Sequence, residues 1–354
     1  MAKIRVLVVD DSIIVRRVVT EELAAQPDIE VVAAVSTGKA AVEKLVELNP
    51  DLVILDIEMP EMDGLTALKI MRRTHPRTPI IMFSSLTTNG AAATLEALAR
   101  GATDFFAKPG GPGGLEASRR VIREELVPAI RALCLRADLP NEKAALQKGS
   151  LTQANENTAM ARIDVLAIGA STGGPNALAE LFAGLPADFP VPILIVQHMP
   201  PMFTEMLAER MTRISPIPTV EAKSGMQLEA GRAYIAPGDF HLTVVRESGK
   251  AVARVEQSPP ENACRPALDP LLRSVALGYG RNVLAVVLTG MGQDGLRGCE
   301  AVRAAGGQIL AQDEATSVVW GMPGYVVRAG LADRVMPISL IAGEITRRVR
   351  LGRG

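Results

Sequence analysis

The stretch Val6-Leu7-Val8-Val9-Asp10-Asp11-Ser12 joins four consecutive apolar residues to two carboxylates, at the point where a helical pattern begins. The stretch Leu52-Val53-Ile54-Leu55-Asp56 repeats this design with one carboxylate. Short, unbroken apolar runs are typical of strands that are buried on both faces of a parallel sheet. The two stretches therefore indicate an α/β fold that carries acidic side chains at its strand ends.

Outward from these stretches, residues 1–134 alternate apolar runs with helical patterns. Strands are predicted at 5–9, 31–35, 52–56, 80–83 and 104–107, and helices at 12–26, 38–48, 64–74, 91–100 and 115–133. Five such β-α units predict a five-stranded parallel domain of the flavodoxin-like kind.

Residues 135–160 are polar and lack sustained periodicity, which is typical of a linker. Residues 161–354 resume the alternation and predict a second, Rossmann-like α/β domain with an antiparallel insertion around residues 231–257. Its strands are predicted at 165–169, 193–197, 233–236, 242–245, 252–256, 283–288 and 308–311, and its helices at 176–183, 202–214, 268–279, 296–305 and 340–349.

Composition limits the classes of partner. Lysine plus arginine (38) nearly balances aspartate plus glutamate (39), so no whole-chain field favours nucleic acid or an anionic membrane. No apolar stretch approaches the roughly 20 residues that span a bilayer, so membrane insertion is not expected. The three cysteines are far apart in sequence and form no C-x-x-C pair, which argues against a disulfide framework or a zinc site. We expect a reduced, cytoplasmic setting.

The strand ends of the first domain predict an acidic pocket. Asp10, Asp11 and Asp56 should meet at one edge of the sheet, where ligands of open α/β folds bind. Three carboxylates there call for a hard cation such as Mg²⁺ between them. Ser84 and Lys108 follow two further strands and would stabilise a phosphoryl group moving onto Asp56.

This arrangement resembles the receiver domain of two-component response regulators over residues 3–133. The matching pieces are Val-Val-Asp-Asp-Ser, Leu-Asp-Ile-Glu-Met-Pro-Glu-Met-Asp-Gly, Phe-Ser-Ser and Phe-Phe-Ala-Lys-Pro. The resemblance implies phosphorylation at Asp56, Mg²⁺ on Asp10, Asp11 and Asp56, a switch hydroxyl at Ser84, a phosphate-contacting cation at Lys108 and a switch aromatic at Phe105.

The second domain opens with a glycine-rich turn, Ile168-Gly169-Ala170-Ser171-Thr172-Gly173-Gly174-Pro175, between a strand and a helix. It lacks the G-x-G-x-x-G of a dinucleotide site and the Gly-Lys-Ser/Thr of a P-loop. It could present Ser171 as a nucleophile beside exposed N–H groups. Alternatively, Ser171 or Thr172 could simply cap the helix.

A serine nucleophile needs a base, and the chain contains three histidines. His75 lies in a loop of the first domain. His241 lies in the predicted insertion and is interpreted either as an exposed turn residue or as part of a cleft rim. His198 ends the strand that follows the one leading to Ser171, and consecutive strands are commonly neighbours, so His198 is the best candidate.

The third member of a triad should be a carboxylate that orients the imidazole. Asp294 lies in the tight loop Thr289-Gly290-Met291-Gly292-Gln293-Asp294-Gly295 after a further strand. It could instead cap the helix that follows. The order Ser, His, Asp differs from that of α/β-hydrolases, and no G-x-S-x-G is present.

The second domain resembles the catalytic domain of the chemotaxis protein-glutamate methylesterases from about residue 163 to the end. The matching pieces are Gly-Ala-Ser-Thr-Gly-Gly-Pro, Val-Gln-His-Met-Pro, Ala-Pro-Gly and Leu-Thr-Gly-Met-Gly-Gln-Asp-Gly. The resemblance implies a triad of Ser171, His198 and Asp294, with Thr172 and Met291 beside it and the Met291 N–H as an oxyanion donor. The segment 265–269 departs from the usual Arg-Pro-Ser-Val-Asp, and it lacks the histidine that often precedes the arginine.

The resemblance further implies hydrolysis of glutamate γ-methyl esters, and deamidation of glutamine, on methyl-accepting chemoreceptors during adaptation. A chemotaxis histidine kinase would supply the phosphoryl group, and the esterase reaction would need no cofactor. We expect the unphosphorylated first domain to cover the Ser171 cleft. Two other hypotheses stay open, a second domain that only binds a partner and a nucleotide-binding output domain.

Overall fold

The computed structural model describes residues 3–84, 87–108, 114–134, 162–351 and 353. These residues form two compact units, an N-terminal unit and a C-terminal unit, each with its own sheet. The predicted linker at 135–160 lies outside the described residues, so the predicted domain boundaries stay predictions.

The N-terminal unit contains the predicted five-stranded sheet, and every pairing in it is parallel. Its strands are β1 Ile4–Val9, β2 Ile29–Val35, β3 Leu52–Asp56, β4 Ile80–Ser84 and β5 Asp104–Ala107. The order across the sheet is β2-β1-β3-β4-β5. Every residue of β3 and β4 is buried, as the unbroken apolar runs predict.

Helices connect these strands, and the first four are α1 Ile13–Ala24, α2 Gly38–Leu48, α3 Gly64–Thr74 and α4 Thr88–Ala99. Each begins after a residue whose side chain accepts a hydrogen bond from a backbone N–H of the first turn: Ser12, Thr37, Asp63 and Thr87. Such caps satisfy donors that would otherwise have no partner at a helix start.

The predicted helix over 115–133 is interrupted by a wider turn. It consists of α5 Gly114–Val121, a π-helical turn Ile122–Leu126 and α6 Val127–Cys134. Pro128 lies just after this turn, and proline has no N–H to donate to the carbonyl four residues earlier. A local change of helical hydrogen bonding is the usual response to such a residue.

The C-terminal unit is built on a seven-stranded parallel sheet with the order β14-β13-β12-β6-β7-β9-β8. The strands of the unit are β6 Val165–Ala170, β7 Ile193–Gln197, β8 Thr219–Glu221, β9 Ala233–Ile235, β10 His241–Glu247, β11 Lys250–Glu256, β12 Val283–Val287, β13 Gln308–Gln312 and β14 Arg334–Met336. The two edge strands, β8 and β14, were not predicted. Each has three residues, too few to show a period.

The helices of this unit are α7 Gly174–Ala183, α8 Phe203–Ile214, α9 Leu268–Tyr279, α10 Leu296–Ala304, α11 Met322–Arg328 and α12 Ile338–Arg350. The predicted antiparallel insertion is confirmed as the hairpin of β10 and β11. It is shorter than predicted, because β9 pairs in parallel with β7 and β8 and so belongs to the main sheet.

The chain order of the strands reverses beside the first strand of each sheet. In the N-terminal unit the reversal lies between β1 and β3, and in the C-terminal unit it lies between β6 and β12. Crevices form at such points outside the carboxyl ends of the strands, and ligands bind there. Among the described residues, no helix is long and apolar enough to cross a membrane.

Candidate active site and acidic pocket

The acidic pocket lies at the reversal point of the N-terminal sheet. Asp10 follows β1 and Asp56 ends β3, and both are almost fully buried, whereas Asp11 is exposed. One carboxylate oxygen from each of the three lies within 4.8 Å of the others. Lys108 Nζ approaches Asp10 Oδ2 to 2.6 Å and Asp56 Oδ2 to 2.7 Å.

The pocket carries more negative charge than Lys108 neutralises. Burial raises the pKa of Asp56 to about 6, although the Lys108 ammonium opposes the rise and Asp10 adds to it. Burial likewise raises the pKa of Asp10. Clustered carboxylate oxygens with unbalanced charge are the donor set that Mg²⁺ prefers, so these three residues fit the predicted ion.

Ser84 and Phe105 lie on neighbouring strands of the same sheet. Ser84 is buried at the end of β4, where its Oγ contacts the Gly90 carbonyl oxygen at 3.3 Å. Phe105 lies in β5, half-buried and in register with Met82 of β4. The structure thus brings Asp10, Asp11, Asp56 and Lys108 together and places Ser84 at the next strand end.

Ser171 lies at the reversal point of the C-terminal sheet, directly after β6. Its N–H donates to the Thr289 carbonyl oxygen at 3.0 Å, which ties it to the loop after β12. Helix α7 begins after Gly173, whose φ of +76° suits glycine, and no side chain caps that start. Ser171 and Thr172 therefore do not act as the helix cap that was the alternative for them.

Strand register brings His198 beside Ser171. β6 pairs in parallel with β7, with Ala170 opposite Gln197, so Ser171 and His198 are the next residues on two adjacent strands. The His198 N–H continues the ladder by donating to the Ala170 carbonyl oxygen at 3.2 Å. Its side chain is 12% exposed. This placement is the neighbouring-strand arrangement predicted for the two residues.

Asp294 is buried and lies in a nest of donors. Its Oδ2 accepts the Leu268 N–H at 2.6 Å, and its Oδ1 accepts the N–H groups of Asp269 and Gly295 at 3.1 and 3.0 Å. The N–H groups of Leu268 and Asp269 belong to the first turn of α9, so Asp294 caps that helix. The sequence had suggested Asp294 as a cap for α10, to which it is bound less fully. Burial alone would raise the pKa of Asp294, but His198 and these N–H groups outweigh burial and lower the pKa.

Asp294 also fixes the tautomer of His198. Its Oδ2 lies 2.8 Å from His198 Nε2, and an ionised carboxylate can only accept, so Nε2 carries the proton. Burial opposes protonation of the ring, yet the interactions with Asp294 and Cys264 together outweigh burial and raise the pKa of His198. Nδ1 is thereby the nitrogen with a lone pair. Cys264 Sγ lies 3.4 Å from it, and no hydrogen bond joins Ser171 Oγ to the ring in the described part of the chain.

The loop after β12 packs directly against Ser171. A Cβ added at Gly290 would lie 2.8 Å from Ser171 Cβ, so only glycine allows this approach. Thr172 is buried, and Met291 follows Gly290 at the loop surface. Within the described residues, the backbone N–H groups of Thr172 and Met291 have no hydrogen-bond partner. Both N–H groups can therefore donate to a group that binds beside Ser171.

Three further residues support the site without having been predicted to do so, although Gln197 and Thr289 lie in the motifs quoted above. Asn262 Nδ2 donates to both Asp294 Oδ1 and Asp269 Oδ2, each at 3.0 Å. Thr289 Oγ1 donates to the Thr172 carbonyl oxygen at 2.9 Å, and Gln197 Nε2 donates to the Ser171 carbonyl oxygen at 3.0 Å. Except for Asp269, which is 7 residues from Asn262, these partners are distant in sequence, so the sequence alone does not reveal the contacts.

Both interpretations of His241, as an exposed turn residue and as part of a cleft rim, are wrong. The residue is fully buried at the start of β10. Its Nδ1 accepts the Ala267 N–H at 3.1 Å, and its Nε2 lies 3.1 Å from the Pro259 carbonyl oxygen. These two partners give it a structural role in holding the segment before α9.

Comparisons with known proteins match the two parts of the chain to two different families. Residues 166–345 match the CheB methylesterase family, and residues 6–120 match the response regulator receiver domain. The chain is 48% identical over 351 residues to a protein-glutamate methylesterase/protein-glutamine glutaminase from Trichodesmium erythraeum, covering 99% of this chain and all of that protein. A relative of the same name from Nocardioides sp. is 47% identical over 353 residues, covering 99% of this chain and 96% of that one.

A solved structure extends the likeness to the fold of the C-terminal unit. The crystal structure of the Thermotoga maritima CheB methylesterase catalytic domain is 42% identical, with a TM-score of 0.52. The match covers 53% of this chain and 99% of that one.

Proposed function

The chain belongs to the CheB methylesterase family and carries a receiver domain, and from this premise we propose that it hydrolyses glutamate γ-methyl esters on chemoreceptors with Ser171 as its nucleophile. The same site would release ammonia from glutamine side chains, as the names of its relatives suggest. The observation that carries the proposal is the alignment of Ser171 and His198 on adjacent strand ends, with Asp294 holding the far side of the imidazole.

In the first half of the reaction, Nδ1 of His198 takes the proton from Ser171 Oγ as the oxygen attacks the ester carbonyl carbon. This reverses the ring orientation of the common template, in which Nε2 faces the serine. Asp294 stabilises the imidazolium, and the N–H groups of Thr172 and Met291 bind the oxyanion. The C–O bond to methanol then breaks, and Nδ1 returns the proton to the leaving oxygen.

In the second half, a water molecule attacks the acyl-serine carbon and gives its proton to Nδ1. Collapse of the tetrahedral intermediate releases the glutamate carboxylate and restores Ser171 Oγ–H. An amide substrate follows the same steps with ammonia as the leaving group. The steps need no cofactor, because the chain's own groups supply the nucleophile, the base and the oxyanion donors.

We assign the control of this activity to Asp56. Asp10, Asp11 and Asp56 would hold Mg²⁺, whose charge offsets that of a phosphoryl group coming from a histidine kinase. Lys108 Nζ lies 2.6 Å from Asp10 Oδ2 and 2.7 Å from Asp56 Oδ2, and it would contact the phosphoryl oxygens. Ser84 and Phe105 would shift in response and favour the state in which Ser171 is accessible.

The direct test is methanol release from methylated chemoreceptor membranes, measured with and without acetyl phosphate plus Mg²⁺. Wild-type protein should release methanol, and faster with the phosphodonor. Ser171→Ala should lose about 10⁴-fold or more of the rate. Ser339→Ala is the matched control, because Ser339 is an exposed serine in α12. Absence of release by wild type under both conditions would refute the substrate assignment.

The regulatory part has its own test, a comparison of the full chain with a fragment of residues 158–354. If the unphosphorylated receiver inhibits the esterase, the fragment should release methanol faster than the full chain does without phosphodonor. Equal or slower release by a folded fragment would refute inhibition by the receiver.

A further inference from the structure

The imidazole of His198 has a second neighbour besides Asp294, and this neighbour is a thiol. Cys264 Sγ lies 3.4 Å from Nδ1, on the opposite side of the ring from the Asp294 contact at 2.8 Å. A thiol, an imidazole and a carboxylate are thus joined in series by hydrogen bonds. This is the same order of groups that activates a cysteine nucleophile.

The backbone on both sides holds Cys264 in place. Its N–H and carbonyl oxygen exchange hydrogen bonds with Glu261 at 2.8 and 3.1 Å. The next residue, Arg265, binds Asp239 Oδ1 through Nε at 3.0 Å and the Ser258 carbonyl oxygen at 3.0 Å. The thiol is half-buried, and Asn262 and Ala263 just before it are exposed. Cys264 is therefore partly open to solvent, while the hydrogen bonds of its backbone and of Arg265 hold this segment beside His198.

The other two cysteines provide an internal comparison. Burial, together with the nearby Asp51 carboxylate, raises the pKa of Cys134 to about 12. Burial also raises the pKa of Cys299, which lies in α10 and is fully buried. Neither thiol has an imidazole within hydrogen-bond distance in the described residues. Both should be poor nucleophiles at neutral pH.

We propose that Cys264 is a reactive thiol, activated by His198 and Asp294, and that its capture by an electrophile of the hydroperoxide class closes the esterase site. The thiol proton passes to Nδ1, and the thiolate attacks one peroxide oxygen. The S–O bond forms as the O–O bond breaks, and the leaving oxygen takes the proton from Nδ1. Sulfur is oxidised to a sulfenic acid, and the peroxide is reduced to water or an alcohol.

The inhibition follows from which nitrogen of the His198 ring acts as the base. Nδ1 is the atom that must accept the proton of Ser171, and Cys264 Sγ already lies beside it. An oxygen added to that sulfur would occupy the space next to Nδ1 and bind it. This inhibitory half rests on the proposed esterase function, whereas the reactivity of the thiol does not.

The reactivity is tested by treating the intact chain with iodoacetamide and following each cysteine peptide by mass spectrometry. Cys264 should react at least about tenfold faster than Cys134 and Cys299. His198→Ala should lower the rate of Cys264 labelling by a similar factor, and Asp294→Asn should lower that rate by a smaller factor. Unchanged slow labelling of Cys134 and Cys299 verifies that each variant is folded. A rate at Cys264 that is indifferent to both substitutions would overturn the proposal.

The inhibition is tested with hydrogen peroxide and methyl-ester hydrolysis. Wild-type activity should fall as Cys264 is oxidised and return with dithiothreitol, whereas the activity of Cys264→Ser, whatever its starting level, should not fall. Equal loss in both proteins would overturn the inhibitory role. If wild type shows no esterase activity but His198-dependent labelling persists, the proposed function fails and the reactive thiol stands.

Discussion

The two sheets each carry an aspartate at the carboxyl ends of their strands, and the pKa values of these two aspartates shift in opposite directions. Each has a buried aspartate at its reversal point, Asp56 in the N-terminal unit and Asp294 in the C-terminal unit. The pKa of Asp56 rises to about 6, mainly through burial, while that of Asp294 falls in spite of burial. The fold determines where both carboxylates lie, and their hydrogen-bond partners determine how readily each carboxylate is ionised.

The difference lies in what surrounds each carboxylate. Asp294 accepts three backbone N–H groups, the Asn262 amide and the His198 imidazole. Asp56 accepts the Ile57 N–H at 2.7 Å and shares Lys108 with a second carboxylate. An aspartate with that many donors keeps a stable charge and can orient a base. An aspartate with unbalanced charge favours a cation and, with it, an incoming phosphoryl group.

The largest expected effect is on catalysis by Asp294→Asn. An asparagine amide cannot stabilise the imidazolium and favours the wrong tautomer, so the turnover number should fall by about 10⁴-fold. Steady-state methanol release measures the effect. Asp188→Asn is the control, since Asp188 is an exposed aspartate with 77% of its side chain accessible. A loss of less than tenfold would mean that Asp294 does not support the base.

Asp56→Asn should abolish stimulation by acetyl phosphate and Mg²⁺, because the carboxylate proposed to accept the phosphoryl group is removed. The ratio of stimulated to basal methanol release should fall to about one, while basal release persists. Asp51→Asn is the matched control, because Asp51 is an exposed aspartate that directly precedes the same strand. Undiminished stimulation in Asp56→Asn would exclude this residue as the phosphorylation site.

The same two substitutions should change stability in opposite directions. Asp56 holds its proton more tightly when folded, with a pKa of about 6 against 3.8, so its contribution to stability is lost as pH rises between these values. At pH 7 without Mg²⁺, Asp56→Asn should stabilise the N-terminal unit by on the order of 2 kcal/mol.

Asp294 has a lowered pKa, so its contribution to stability is present above 3.8 and is lost as pH falls through the folded-state pKa. Asp294→Asn should therefore destabilise the C-terminal unit at pH 7, by about 1–3 kcal/mol. Urea unfolding of the intact chain, followed by hydrogen exchange of each unit, measures both changes. Changes of the same sign in the two units would contradict the electrostatic contrast.

The smallest effect is a shift of the pH profile. Because Asp294 raises the pKa of His198, the imidazole becomes a neutral base only at pH values above its ordinary 6.5. The rate should therefore rise with pH through a midpoint above that value. In Asp294→Asn the midpoint of the residual rate should move down. A midpoint that stays the same in the variant would show that Asp294 does not control this titration.

Sequence patterns predicted the framework and the strand-end residues because both follow from local rules. An apolar run predicts a strand, and the residue after it predicts a position at the sheet edge, as for Asp10, Asp56 and His198. The contacts of Asn262 and Cys264 with the site could not be predicted in this way. They arise because the 261–264 turn lies beside Asp294 and His198, a tertiary contact between segments 30 or more residues apart.

The burial of His241 was missed for a similar reason. It follows the turn Pro237-Gly238-Asp239-Phe240 in sequence, yet the segment between β11 and α9 supplies both of its hydrogen-bond partners. The edge strands β8 and β14 were missed because three residues carry too little pattern.

The most direct test of the central claim is to treat the intact, phosphodonor-activated chain with a fluorophosphonate and locate the adduct by peptide mass spectrometry. A serine activated by an imidazole attacks phosphorus and displaces fluoride, so the account predicts an adduct on Ser171 that disappears in His198→Ala, with none on Ser339. An adduct elsewhere, or labelling of Ser171 that persists without His198, would contradict the assignment of Ser171 and His198 as nucleophile and base.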